Sequence, residues 1–218
     1  MSSILLIHGY AVHLTSPLVR PALGSHKGFR TFIPLIQNRQ ATVFSWGLEK
    51  QVSFLSLLNP FFLKHFYHQE REVALHPNTH TELQALLQKE RPRIIVCHSM
   101  GSVLLNGYLK TYSLPPSVEA IVFVQSDLSV HDSINFPVPV YNLYCPWDPT
   151  LLVSSLFNRS ARVGLRKIKH PSVQNILFPL NRPFNLHTSS IRDPKLRTWI
   201  LSLLEKEQSI DTKSALQI

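Results

Sequence analysis

Six short runs of Val, Ile, Leu, Phe and Tyr, spaced along the chain with helical patterns between them, leave this sequence few folds to adopt. They are Ile4–Ile7, Ala41–Trp46, Arg93–His98, Ala120–Val124, Val138–Tyr144 and Val173–Phe178. The runs are nearly continuous rather than alternating, which is the pattern of parallel strands covered on both faces. Between them, Thr79–Glu90 carries a helical stripe of Leu83, Leu86 and Leu87, with Thr79 as the expected cap and Glu82 three residues on. Ser99–Tyr112 and Pro194–Lys206 repeat the helical spacing, the latter through Leu196, Trp199, Ile200, Leu203 and Leu204. Such repetition predicts an α/β fold: a doubly wound, mainly parallel six-stranded sheet flanked by helices, with right-handed crossovers.

The chain has 218 residues, 44% of them hydrophobic, enough for one sizeable core. No linker or internal repeat interrupts it. Residues 1–206 therefore read as a single domain and 207–218 as a loose polar tail. Two cysteines exclude a disulfide scaffold and a four-cysteine zinc site. The run Ile4–Ile7 is too short for a signal-peptide core and has no basic leader. No stretch nears the roughly 18 apolar residues of a membrane span, so a cytoplasmic location is expected.

The most informative segment joins the third run to the next helix: Cys97-His98-Ser99-Met100-Gly101. A strand that runs into a helix through a serine, with Gly two residues later, has the spacing of a G-x-S-x-G nucleophile elbow in which Cys97 replaces the first Gly. The turn is tight enough to strain the serine backbone and to demand small residues two positions away, and cysteine is small. It would hold the Ser99 hydroxyl above the carboxyl ends of the strands, where the N-terminus of the new helix offers N–H groups to an oxyanion. A serine capping a helix after an ordinary strand is the plainer alternative. His8-Gly9-Tyr10, directly after the first run, sits where a second oxyanion N–H should come from, although His-Gly also serves as simple turn chemistry.

Taken together, Ile4–Tyr10, Ile94–Leu105, Tyr141–Val153 and Val173–Leu204 resemble the α/β-hydrolases, above all the small lidless bacterial lipases and related minimal serine esterases. Those lipases often read A-H-S-M-G at the elbow. The resemblance implies a minimal α/β-hydrolase fold, no cofactor, and a triad in the order Ser, Asp or Glu, His. It assigns the acid to Asp148, in the loop after Val138–Tyr144, and the base to His187, between the last strand and the final helix. It also assigns the oxyanion hole to the backbone N–H groups of Tyr10 and Met100, with His8, Gly9 and His98 around them. The implied activity is hydrolysis of carboxylic or thio-esters of apolar acyl groups through an acyl-enzyme. Ser102 departs from the pattern, since many relatives have a second Gly there. A catalytically silent member of this fold, binding a lipid or protein partner, is the alternative class.

Rivals exist for each role. Asp127, just beyond Ala120–Val124, competes as the acid and His170 as the base. His65, His68, His76 and His80 lack the paired spacing of a zinc site, so no metal is expected. The apolar segment 48–67 reads either as helices packed on the sheet or as an acyl-binding wall or lid, in which Phe61 and Phe62 would touch a small-molecule ester substrate. The net charge is +9, and no acidic residue lies between Asp148 and Asp193, where Arg159, Arg162, Arg166, Lys167, Lys169, Arg182 and Arg192 do. Residues 159–192 thus form either a solvated basic face or a contact for an anionic head group, a phosphorylated substrate or a lipid membrane surface. No recognition module accompanies the charge, and nucleic acid is not expected.

Overall fold

A computed structural model describes residues 2–9, 28–47, 59–132, 136–178, 187 and 190–215. Six parallel strands form one sheet: β1 (Ile4–Ile7), β2 (Ala41–Phe44), β3 (Ile94–His98), β4 (Ala120–Val124), β5 (Val140–Tyr144) and β6 (Val173–Leu177). Their order is β2-β1-β3-β4-β5-β6. The chain therefore starts in the interior, steps to one edge, and returns across β1 to build the other side. Among the described residues, six helices flank the sheet: α1 (Ile33–Gln37), α2 (Pro60–Ala74), α3 (Pro77–Glu90), α4 (Gly101–Tyr108), α5 (Pro149–Asn158) and α6 (Pro194–Ala215). This is the doubly wound α/β fold that the apolar runs predict.

Alternate residues of each central strand feed opposite faces, and each face has its own core. Leu5, Ile7, Ile95, Cys97, Ile121 and Phe123 pack with Tyr67, Ala74, Leu83, Leu87, Leu104 and Tyr108 from α2, α3 and α4. Ile4, Leu6, Ile94, Val96, Val122 and Val124 pack instead with Phe32, Leu35, Leu196 and Ile200 on the α1 and α6 side. Both faces being covered explains why the strand sequences do not alternate.

Several boundaries differ from the sequence reading. The cap of α3 is His76, whose Nδ1 accepts from Asn78 N at 3.2 Å. Thr79 already lies inside the helix and donates to Val73 O at 2.8 Å; Pro77 at the first helical position moves the start two residues earlier. Helix α4 spans Gly101–Tyr108, shorter than the predicted Ser99–Tyr112. Helix α6 continues through Ala215 into the stretch expected to be a loose tail. Among the described residues, no helix is long and apolar enough to cross a membrane.

Candidate active site

Parallel strands put all their carboxyl ends on one rim, and a crevice opens there where neighbouring strands leave in opposite directions. In this sheet the switch lies between β1 and β3. Gly9 follows β1 and Ser99 follows β3. They touch: a Cβ built on Gly9 would lie 2.7 Å from Ser99 Cβ and 3.0 Å from His98 Nδ1. Only glycine lets the β1 loop approach the serine so closely. Gly101 is equally constrained, since its Cβ would fall 2.5 Å from Ile7 O and 2.7 Å from His8 O.

Ser99 adopts φ +51°, a left-handed conformation that costs a non-glycine residue about 1–2 kcal/mol. Among the described residues, the other non-glycine positions with positive φ are Arg39, Arg91 and Arg159, all exposed, and Gln125, which is buried. The strained turn is clamped. Ser99 O accepts from Ser102 N at 3.1 Å, Ser102 Oγ at 2.6 Å and Asp127 N at 3.2 Å. Ser102 Oγ in turn accepts from Ser126 Oγ at 2.7 Å. Ser102 thus bolts the Ser99 turn to the end of β4. Met100 precedes α4, so its N–H belongs to the helix-start donors that no intrahelical carbonyl satisfies.

Asp148 is the N-cap of α5 and fully buried. Its Oδ1 accepts from Thr150 N at 3.0 Å and Leu151 N at 3.1 Å. Its Oδ2 accepts from His187 Nδ1 at 2.6 Å and from Gln125 Nε2 at 2.5 Å. Burial alone would raise its pKa, but the His187 imidazole, its hydrogen bond and the Leu151 N–H outweigh burial, and the net direction is down. The acid is ionised and cannot rotate. Behind it, Gln125 Oε1 accepts from Ser190 Oγ, which ties the segment after His187 to the same carboxylate.

His187 is buried and meets a second histidine. His98 Nε2 donates to His187 O at 3.0 Å, and the two rings lie 4.6 Å apart. Burial, reinforced by the neighbouring His187, pushes His98 down to about 3, so it serves as a neutral N–H donor. His187 Nε2, the nitrogen opposite the Asp148 bond, is buried and makes no hydrogen bond among the described residues. The structure therefore closes the Asp148–His187 pair and leaves the link to Ser99 Oγ open.

The remaining expected residues fall as follows. His8 turns inward: its Nε2 accepts from Trp46 N at 3.2 Å, its Nδ1 donates to Gly9 O at 2.8 Å, and its ring stacks on Trp46. It shapes the loop that approaches Ser99. Tyr10 lies outside the described residues, as do residues 48–58 of the apolar segment and Arg182. Phe61 is 84% exposed in the first turn of α2, while Phe62 is half-buried and stacks on Phe66. His170 precedes β6, at the opposite end of a parallel sheet from Ser99, and bonds Ser172 Oγ at 2.7 Å. Asp127 is buried but engaged: Tyr67 Oη and Ser154 Oγ each donate to it at 2.6 Å, and Arg162 pairs with it at 3.4 Å. Arg162 is wholly buried, so it does not belong to a solvated basic face. Among the described residues no group of three His, Cys, Asp or Glu could hold a metal ion.

Gln125, Ser190 and the Tyr67–Asp127–Arg162–Ser154 cluster escape a sequence reading. Each is an ordinary polar residue whose partner comes from a distant segment; the one local hint is that Gln125 directly follows a buried strand. No family model and no curated protein matches this chain.

Proposed function

We propose that this chain is a serine hydrolase of the α/β-hydrolase type that cleaves carboxylic or thio-esters of apolar acyl groups. The observation that carries the reading is the strained Ser99 at the β1/β3 switch, facing a loop that only glycine can bring so close, beside a buried His187–Asp148 pair at 2.6 Å. The order Ser99, Asp148, His187 supports it as well.

In this mechanism neutral His187 takes the Ser99 proton at Nε2 as the hydroxyl attacks the acyl carbonyl. Ionised Asp148 fixes Nδ1 as the protonated nitrogen and stabilises the imidazolium that forms. The Met100 N–H receives the oxyanion, a contribution of about 3–4 kcal/mol for one good donor, and Tyr10 N–H is assigned as its partner. His187 then protonates the leaving group, and water attacks the acyl-enzyme by the reverse path. Hydrogen bonds between catalytic groups commonly tighten only in the complex with substrate, and the open Ser99–His187 link is compatible with that.

The surroundings of the acid support the substrate class. Trp147 and Leu156 are each 77% exposed and Leu152 lies on the same outward side of α5, followed by exposed Arg159, Lys167 and Lys169. Apolar surface next to cations suits esters presented at an anionic lipid surface.

A fluorophosphonate probe tests the reading. Wild type labels, Ser99→Ala abolishes labelling, and Asp148→Asn slows it by up to about 10⁴-fold. A folded wild type that does not label instead supports a silent fold. A panel of esters of rising chain length then orders the acyl preference.

A further inference from the structure

Helix α5 turns most of its apolar residues outward. Its sequence, Pro149–Asn158, contains no charged side chain. A surface helix ordinarily lays its apolar stripe on the core and its polar side in water. Here the inward side carries Leu151 and Ser154, both buried, and Ser154 Oγ donates to the Asp127 carboxylate at 2.6 Å. Pro149, Leu152, Val153 and Leu156 are spaced i, i+3, i+4 and i+7, so they share one face. That face is exposed, Leu152 at 45% and Leu156 at 77%. Trp147, also 77% exposed, stands just ahead of the helix.

Cations border this face. Arg159 is the exposed C-cap of α5, three residues beyond Leu156. The 3-10 turn Val163–Leu165 packs back against the helix, and exposed Arg166 and Lys167 follow it directly, with exposed Lys169 two residues on. None of the four forms an ion pair with a described residue. No Asp or Glu lies between Asp148 and Asp193, and Asp148 itself is buried, so nearby sequence supplies no exposed carboxylate to neutralise them. Apolar side chains in water beside uncompensated cations mark a surface meant to be covered by something apolar and negative. A second copy of this chain does not fit, because a two-fold contact on this face would set the same cations against each other in a chain of net charge +9. The face also offers little hydrogen bonding to fix the register of a shaped protein partner. A fluid lipid layer needs none.

We propose that the outward face of α5 docks on an anionic lipid surface, with Trp147, Leu152 and Leu156 entering the lipid and Arg159, Arg166 and Lys167 meeting the head groups. Leucines buried at the acyl boundary gain by leaving water, a tryptophan suits the head-group level, and each cation adds its attraction to the negative surface. Asp148 caps the same helix, so docking holds the candidate active site at the edge of the lipid layer. The docking stands on the surface alone; only the inference that this layer delivers the ester rests on the hydrolase reading.

The test is co-sedimentation of the full chain, as Ser99→Ala, with vesicles of equal parts phosphatidylserine and phosphatidylcholine, against phosphatidylcholine alone. Binding to the mixed vesicles is expected, weakening as salt rises. Lys167→Gln with Lys169→Gln should lower the partition coefficient by about 30-fold. Lys89→Gln with Lys110→Gln removes the same charge from exposed positions on the opposite rim, and should lower it by less than about threefold. Leu152→Gln with Leu156→Gln should lower it at least about tenfold. Trp147 reads insertion without any substitution on α5. Trp46 is buried and Trp199 half-buried, so Trp147 dominates acrylamide quenching, and the mixed vesicles should protect it. Equal or no binding to the two kinds of vesicle, an unprotected Trp147 in the bound chain, equal weakening by the two lysine pairs, or a folded Leu152→Gln, Leu156→Gln chain that binds like its parent overturns the proposal. A dimer in vesicle-free solution that the leucine substitutions disperse also overturns it, assigning the face to a second copy. Wild type that binds vesicles but resists the fluorophosphonate probe overturns the hydrolase reading alone; labelling without vesicle binding overturns the docking alone.

Discussion

His98 makes the structure sensitive to acid in a way that one substitution isolates. Its pKa lies at about 3 in the folded chain, lowered by burial and by the adjacent His187. An unfolded histidine titrates near 6.5. The folded value is the lower one, so between about pH 6.5 and 3 the unfolded chain binds a proton that the folded chain excludes. Stability must fall as pH drops through that window. The slope approaches about 1.4 kcal/mol per pH unit, and from pH 7.5 to 5 the loss from this one group integrates to about 2 kcal/mol. That is a large fraction of the roughly 5–15 kcal/mol holding a typical domain together. His98→Gln keeps an N–H donor within reach of His187 O but cannot titrate. Urea unfolding of wild type and variant at both pH values gives the difference, and carboxylates that titrate in both proteins cancel. Wild type should lose about 2 kcal/mol more than His98→Gln on acidification. Losses that agree within about 0.5 kcal/mol would mean His98 is not buried and neutral, and the account of how His187 is held would fail.

Other substitutions address the neighbouring contacts. Gln125→Leu strips one donor from Asp148 and one acceptor from Ser190, and should cost about 1–3 kcal/mol by urea unfolding as well as slowing probe labelling. Gln125→Glu should label at low pH, when the paired carboxylates share a proton, and lose labelling as pH rises and both must ionise; an unchanged pH profile would remove Gln125 from the positioning role. Gly101→Ala drives a methyl into the Ile7 and His8 carbonyls and should cost about 3 kcal/mol or more, seen as a lowered urea midpoint. Gly9→Ala meets Ser99 and His98 instead, so it should suppress labelling more than it lowers the midpoint.

The sheet was legible because its signal is local. A buried parallel strand is a short, mostly apolar run, and each of the six runs became a strand with ends displaced by a few residues at most, although β6, with Gln174 and Asn175, is only partly buried. The strained strand-to-helix turn at Ser99 was legible for the same reason, since strand, serine and glycine are contiguous. Cap positions were less so: Thr79 stands three residues before Glu82 as a capping box requires, yet Pro77 at the first helical position places the cap at His76. The polar supports could not be read at all. Gln125 and Ser190 are 65 residues apart and Tyr67 and Asp127 are 60 apart, and nothing in either sequence neighbourhood indicates the partner. The basic interval misleads by the same logic. Its Arg162 looks like its neighbours in sequence yet lies inside the protein, because its charge is committed to Asp127.

Asp127 and Asp148 show how environment, rather than residue type, assigns chemistry. Both are buried, both follow a central strand, and both lie near His187. For Asp127 burial dominates and raises the pKa against the opposing pull of Arg162, Ser154 and Tyr67. Its charge is spent inside a closed cluster, and its backbone N–H is what reaches the elbow, at Ser99 O. For Asp148 the opposing contacts win and lower the pKa, since a helix N-terminus supplies two N–H donors and Gln125 and His187 supply two more. The proposed acid has to stay ionised while an imidazolium forms beside it, and of these two aspartates only Asp148 has contacts that outweigh burial. The same contrast predicts unlike responses to removing the partners. Arg162→Met should strand a buried carboxylate and cost about 3–5 kcal/mol, most of it recovered by adding Asp127→Leu. No second substitution should rescue Asp148→Asn, because what is lost there is the charge that His187 needs rather than the pairing of a charge the fold could do without.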